Sequence, residues 1–323
     1  MFISVIITAY NRKNYILNAI NSALNQTLNK DKFEVIVVTN FRDKNITELQ
    51  SDLKIKHLYL QDGTVGRFIL EGLKISTGDI ITFLDDDDLY DCNRLDTVYK
   101  LFNNFPEVNY YKSNLALIDS FGNLLPVTGK KKCYGGLYSK SKLVGNGNVQ
   151  KLQLNLSSTT VRKYVFSPFI QILPEMTVGQ DVWLYYMALA YGGLMYLDCT
   201  PLTYYRIHNF QTTNINNEIN HFLEGYKSIY KLEKKINDSD TLKDLEKTRF
   251  RMLVLSLSRG HHASLRQLLN GFVFYVKHFK FNVRDFEVLV YSLFAITCTI
   301  TFKKKANGII AKVIVWISGV GFI

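Results

Sequence analysis

The sequence predicts an α/β fold: a mostly parallel sheet flanked by helices, followed by a C-terminal helical extension. Three observations predict it. Short apolar, β-branched runs alternate with helix-period stretches through the first hundred residues. The fourth such run, 80–84, ends in four consecutive acids, Asp85-Asp86-Asp87-Asp88. The last third turns to basic segments with helical spacing of apolar residues.

Residues 3–8 (ISVIIT) read as the first strand, and 15–24 carry apolar residues at helical spacing. A second strand is expected at 33–39 (FEVIVVT) and a third at 55–60. Residues 65–73 read as a helix stopped by Ser76-Thr77-Gly78, and 80–84 as a buried strand before a helix at 91–104. In open parallel sheets ligands bind beyond the carboxyl ends of the strands. Tyr10-Asn11, Thr39-Asn40 and the four acids all lie at such ends, so they are expected to converge on one crevice. Further on, 108–114 and 115–118 read as two strands before a turn at 119–123, and 129–147 as a surface loop.

The acid run has a chemical reading. Adjacent carboxylates repel unless a cation sits among them. Hard oxygen ligands point to Mg²⁺ or Mn²⁺ rather than zinc. The alternative is a solvated acidic loop that caps the following helix. Cys92, Cys133, Cys199 and Cys298 are dispersed, with no metal or disulfide spacing, which predicts a reducing cytoplasm. The N-terminal apolar run is too short for a signal peptide. At 323 residues and 47% hydrophobic, the chain accommodates one domain of about 210–220 residues and a smaller appendage. The Gly-rich signatures of dinucleotide and P-loop sites are absent.

Four stretches, in order, resemble the family 2 glycosyltransferases of GT-A fold. They are SVIITAYNR at 4–12, GTVGRFILEGLKISTGDIITFLDDDD at 63–88, Gly179-Gln180-Asp181, and Tyr205-Arg206-Ile207-His208. The resemblance covers about 1–213 and implies a catalytic domain at 1–215 with a helical region at 216–323. It implies inverting transfer from a nucleoside-diphosphate sugar, a UDP-sugar first, to a glycan or lipid-linked acceptor. By the same resemblance Asp85 and Asp87 form the D-x-D pair. Asp85, Asp87 and His208 would hold Mn²⁺ or Mg²⁺. Thr8, Tyr10, Asn40, Arg67, Asp85, Asp86 and Arg206 would bind the donor. Asp181 would be the general base that takes the acceptor proton. Its alternative role is a helix N-cap, and that of Arg206 a surface ion pair. Two departures stand out: Gln180 replaces the family's Glu, and Asn40 replaces an acid that reads the base. The second leaves the nucleotide open among UDP, GDP and others. Arg67 is out of register by a residue or two. The departures also permit a non-catalytic sugar-nucleotide-binding or scaffold protein.

From 221 to 323 there are 17 Lys and Arg against 8 Asp and Glu, most of the chain's net +11. Residues 224–236 and 242–257 read as amphipathic helices. The uncharged run 288–302 precedes Lys303-Lys304-Lys305, and 309–323 is apolar apart from Lys312. Each run is shorter than the roughly 20 residues of a spanning helix. Basic residues beside apolar helices predict attachment to an anionic membrane surface. The expected place is cytoplasmic, peripheral on the inner face of the cell membrane. The alternative is packing on the catalytic domain or on another subunit as a homo-oligomer. No nucleic-acid recognition motif accompanies the charge.

Overall fold

The computed structural model describes residues 1–52, 54–126, 133, 135–144, 155–208, 218–258, 265–277, 288–290, 292, 293 and 296. They divide into two compact units, one ending just after the last sheet strand and one holding the helices from Glu218 on.

The first unit is built on a nine-stranded sheet. Strand β1 (Ile3–Ala9) lies between β2 (Phe33–Thr39) and β4 (Ile80–Asp85), parallel to both, and β3 (Lys56–Tyr59) extends the parallel half beside β2. Strands β1, β2 and β4 are largely apolar on both faces because helices cover both. On one face, α1 (Ile16–Leu24) packs Ile16, Ala19, Ile20 and Ala23, spaced as one stripe of a 3.6-residue period. Helix α4 (Arg94–Asn104) adds Leu95, Val98 and Phe102, and α2 (Lys44–Ser51) adds Ile46 to the same core. On the other face, Phe68 of α3 (Val65–Ile75) packs on Ile36 and Val38. Thr64 caps α3 by accepting the Arg67 N–H at 3.0 Å. A Cβ on Gly66 would collide with the Leu173 carbonyl. Glycine there lets α3 approach the 173–176 turn, where its N–H donates to Met176 O at 3.0 Å.

Beyond β4 the sheet becomes mixed. Strand β8 (Thr159–Arg162) runs antiparallel between β4 and β6 (Val108–Ile118). Strand β9 (Leu194–Arg206) is parallel to β6, with β5 (Leu89–Tyr90) and β7 (Gly136–Ser139) antiparallel to it. The order is β3-β2-β1-β4-β8-β6-β9-β5. The short helix α5 (Lys140–Leu143) follows β7, and α6 (Gln180–Tyr191) precedes β9. The α/β class with its parallel half is therefore as the sequence predicts.

Several local expectations are corrected. The two strands at 108–118 are one, bulged where Asn114 pairs with Pro201. The expected loop at 129–147 contains β7 and α5; of its other residues only 133, 135 and 144 are among those described. Helix α4 starts at Arg94 rather than Asp91. The Asp91 carboxylate accepts the Asn93 N–H at 2.9 Å and the Tyr204 hydroxyl at 2.9 Å, which fixes a turn ahead of the helix.

The cysteine reading is also corrected: Cys133 and Cys199 form a disulfide with Cα atoms 5.7 Å apart. The partners are 66 residues apart, and β7 brings them together by pairing with β9, so sequence spacing gave no signal. With it goes the cysteine argument for a reducing compartment. Nonreducing digestion and mass spectrometry are expected to find the Cys133–Cys199 cross-linked peptide. Recovery of both as free thiols from protein alkylated before denaturation would contradict the bridge.

In the second unit, α7 (Glu218–Glu233) packs on α8 (Ser239–Ser258), close to the expected 224–236 and 242–257. Arg249 ties them, donating to Glu233 at 2.5 Å and to the Tyr226 hydroxyl at 2.9 Å. Helix α9 (Leu265–Lys277) buries Leu268 and exposes Leu269, Val273 and Val276, an i, i+4, i+7 stripe. Among the described residues no helix is long and apolar enough to cross a membrane. The expected boundary at 215/216, most of 288–302 and all of 309–323 lie outside the described residues.

Candidate functional site

The carboxyl ends of β1 and β4 lie side by side, with Thr8 opposite Asp85 in register. Four carboxylates follow from one strand end, and three of them are buried: Asp86, Asp87 and Asp88. Their charge is met from three directions. Arg12, on the loop after β1, donates to both Asp86 oxygens and, at 2.8 Å, to Asp87 Oδ2. His208 Nε2 lies 3.1 Å from the same Asp87 oxygen. Ser157 Oγ donates to Asp88 at 2.6 Å, and Asn155 Nδ2 at 3.3 Å.

The electrostatics follow from this crowding. Burial and the Asp88 and Asp87 charges hold the Asp85 carboxyl well above the ordinary carboxylate range. Burial pushes Asp86 up to about 8 even with Arg12 against it. Burial and Asp87 push Asp88 up to about 7, although three hydrogen bonds to its oxygens oppose the shift. Burial works against the Arg12 charge, but Asp86, Asp87 and Asp85 outweigh it and raise the guanidinium above its usual value. The site therefore crowds together more carboxyl groups than one arginine holds ionised.

Arg206 is buried, so the surface-pair alternative is excluded. Its Nε donates to Asp87 O at 2.8 Å, its Nη1 to Asp119 O and Ser120 O at 3.2 Å, and its backbone N–H to Asp88 Oδ1 at 3.1 Å. Its guanidinium lies over the Tyr15 ring, centroid 4.4 Å away, and the other neighbour of that ring is His208, 5.0 Å away. Arg206 thus fixes the backbone that carries the acids, and Tyr15 seats the imidazole.

A second corner forms at the ends of β1 and β2. Asn11 stands at φ +57°, and it and Asn40 exchange hydrogen bonds at 2.8 Å. Asparagine tolerates this left-handed conformation better than most residues. The Tyr10 hydroxyl donates to Asp62 at 2.9 Å, and its ring meets Phe68 edge-on. The Tyr10 and Gly63 hydrogen bonds, with the Arg67 charge, hold Asp62 below its ordinary value. Tyr10 and Arg67 thus share the Asp62 corner. Among the described residues Arg67 makes no ion pair with the acid run.

Asp181 is not the N-cap of α6. That position is Gly179, at φ +77°, a conformation glycine adopts freely. Asp181 stands in the first turn, half-buried, with Oδ1 accepting the Val182 N–H at 2.9 Å. Its charge reaches both Asp85 and Lys112 of β6. Sequence reasoning missed Arg12, Tyr15, Asp62, Asn155, Ser157 and Lys112. Arg12 closes the SVIITAYNR stretch, and a cation three residues past a strand end was a usable signal. The others carry no local pattern.

Residues 4–121 match the model of glycosyl transferase family 2, and the chain belongs to that family. An uncharacterized glycosyltransferase of Rickettsia bellii is 33% identical over 144 residues, covering 43% of this chain and 20% of that protein. One of Rickettsia typhi is 29% identical over 222 residues, 66% of each chain. The chain thus spans about a fifth of the first relative's length and about two thirds of the second's. Among solved structures, S. aureus TarS 1-349 in complex with UDP-GlcNAc superposes with a TM-score of 0.56 at 15% identity, covering 93% of this chain and 81% of that one. That likeness is one of fold.

Proposed function

We propose that the protein is an inverting glycosyltransferase that moves a sugar from a nucleoside-diphosphate sugar, a UDP-sugar first, to a glycan or lipid-linked acceptor. The observation that carries this reading is the convergence of Arg12, Asp87 and His208 at the carboxyl end of β4 within a family 2 frame. The UDP-GlcNAc bound to TarS supports a uridine donor. Thr8, Tyr10, Asn40, Arg67, Asp85 and Asp86 are the proposed donor-binding residues. Arg206 serves the donor by holding the Asp87 and Asp88 segment rather than by reaching out to phosphate.

Among the described residues no three acid, imidazole or thiol groups enclose a cation. Asp87 and His208 do face one another, and an excess of carboxylate surrounds them. That fits Mn²⁺ or Mg²⁺, which bind through one or two protein ligands together with substrate phosphates. Asp87 and His208 would hold the ion, with Asp85 the proposed further ligand once donor phosphates are in place, and the ion would neutralise charge on the departing diphosphate. The protein's own steps are then plain. Asp181 accepts the proton of the acceptor hydroxyl. The hydroxyl oxygen bonds to the anomeric carbon as the bond from that carbon to the diphosphate oxygen breaks, and the nucleoside diphosphate leaves from the opposite face. One displacement inverts the anomeric centre.

The basic second unit and the exposed Leu269, Val273 and Val276 stripe support attachment to an anionic membrane surface, which suits a lipid-linked acceptor. The proposed place is the inner face of the cell membrane. Thermal stabilisation by UDP, GDP, dTDP and CDP, each with and without Mn²⁺, tests the donor site. One nucleotide is expected to stabilise the protein in a manganese-dependent way, by about 2.7 kcal/mol at a hundredfold excess over Kd. No response to any nucleotide would overturn the donor site. Binding without turnover would favour the scaffold reading.

A further inference from the structure

We infer that Lys112 is a positioning residue for Asp181, its buried ammonium keeping that carboxylate ionised in a crevice crowded with aspartates. The inference rests on Asp181 being the base. Its ground is the way α6 lies along β6. At the end of the helix, Asn109 Nδ2 donates to Ala188 O at 3.3 Å and to Gly192 O. Earlier in the helix, the Tyr110 ring meets Tyr185 edge-on, centroids 5.9 Å apart. Lys112 is the next residue of β6 on the Tyr110 face, because side chains alternate along the regular stretch 110–112 that follows the irregularity at Asn109. Two strand residues advance about 6.6 Å and one helical turn about 5.4 Å. Lys112 therefore comes beneath the first turn of α6, where Asp181 precedes Tyr185 by four residues.

Lys112 has little other reason to be there. It is 5% exposed, and its Nζ donates to the Ser113 carbonyl at 3.1 Å. Among the described residues it forms no ion pair within 4 Å. Burial, then Arg94, bring its ammonium down to about 8, and Asp181 acts in the opposite sense. It thus stays largely charged at neutral pH. Among the described residues, the titratable groups that face the pair include Tyr110 on the same strand, Tyr185 on α6, Arg94 on α4 and Asp85 at the end of β4. Asp85 and Asp181 oppose one another's ionisation, and Lys112 is the cation of β6 that favours the charged form of Asp181. Opposite charges favour the ionised form of each partner.

The test compares wild type, Lys112→Met, Lys112→Arg, Asp181→Asn and the double variant Lys112→Met with Asp181→Asn. Nucleoside diphosphate release in Mn²⁺ is followed from pH 5 to 9 on whichever UDP-, GDP- or dTDP-sugar the wild type turns over. Lys112→Met is expected to fold, since an apolar chain of similar length replaces a buried charge. Its kcat should fall about tenfold on the acidic side, the effect of one unit in the base's apparent pKa. The acidic limb should move to higher pH, with donor KM and manganese-dependent nucleotide binding unchanged. Lys112→Arg should restore the limb, and the double variant should be no slower than Asp181→Asn. A wild-type limb and kcat in Lys112→Met, with Asp181→Asn inactive, would overturn this inference and leave the base in place. An active Asp181→Asn, or a wild type inert on every donor, would overturn the parent reading and this one with it. If Lys112→Met does not fold, Lys112→Gln serves the same comparison.

Discussion

Asp181→Asn is expected to bind the donor nucleotide as the wild type does and to lose transfer by about 10²–10⁴-fold, the range a positioned base contributes. The substitution keeps the shape of the side chain. Its Oδ1 can still accept the Val182 N–H, so the first turn of α6 should stand. Gly179, not Asp181, caps the helix, so the stability cost of losing an N-cap does not arise. What is lost is the lone pair that takes the acceptor proton. The pattern sought is a fall in kcat at unchanged donor affinity, which marks an interaction made only as the reaction proceeds. Asp181→Asn at wild-type kcat would remove Asp181 from the chemistry. Weakened nucleotide binding in the same variant would instead put it in the donor pocket.

The parts of this site that were legible are those written in contiguous sequence. Strands β1, β2 and β4 announce themselves because burial on both faces forces a near-continuous apolar run, and the acid cluster directly ends one of them. The residues that satisfy those acids were not legible. Ser157 and Asn155 come from a turn with no periodicity and reach Asp88 only because β8 inserts antiparallel between β4 and β6. Strand β8 is four residues, Thr-Thr-Val-Arg, too short to show alternation. Lys112 is placed by the seating of α6 on β6, and Cys133 by the pairing of β7 with β9. Each of these depends on long-range register, which a single sequence encodes only through the packing of the whole sheet. Asp181 was found for its family context, while its local role as a cap was misassigned because Gly179 at positive φ ends the preceding turn first.

Asp87→Asn is the second large effect, and its stability signature separates it from misfolding. Manganese-dependent stabilisation by nucleotide should disappear, because the Asp87 carboxylate is the one shared by Arg12 and His208. The unliganded protein should be no less stable, since the change removes one of several mutually repelling charges while Arg12 keeps its bonds to Asp86. The pH dependence adds a check. Asp86 and Asp88 bind their protons more tightly when folded, at about 8 and about 7, than the ordinary value of 3.8 for the unfolded chain. Between about pH 4 and pH 8 the folded state therefore carries the extra protons. Their contribution to stability is full below the unfolded value and is lost as pH rises through the folded ones. In EDTA the wild-type Tm should thus decline from pH 5 to pH 8.5. In Asp87→Asn that decline should be shallower, because Asp87 is among the charges that raise both groups. An Asp87→Asn protein that still shows manganese-dependent nucleotide stabilisation would sink the assignment of Asp87 to the metal and the diphosphate.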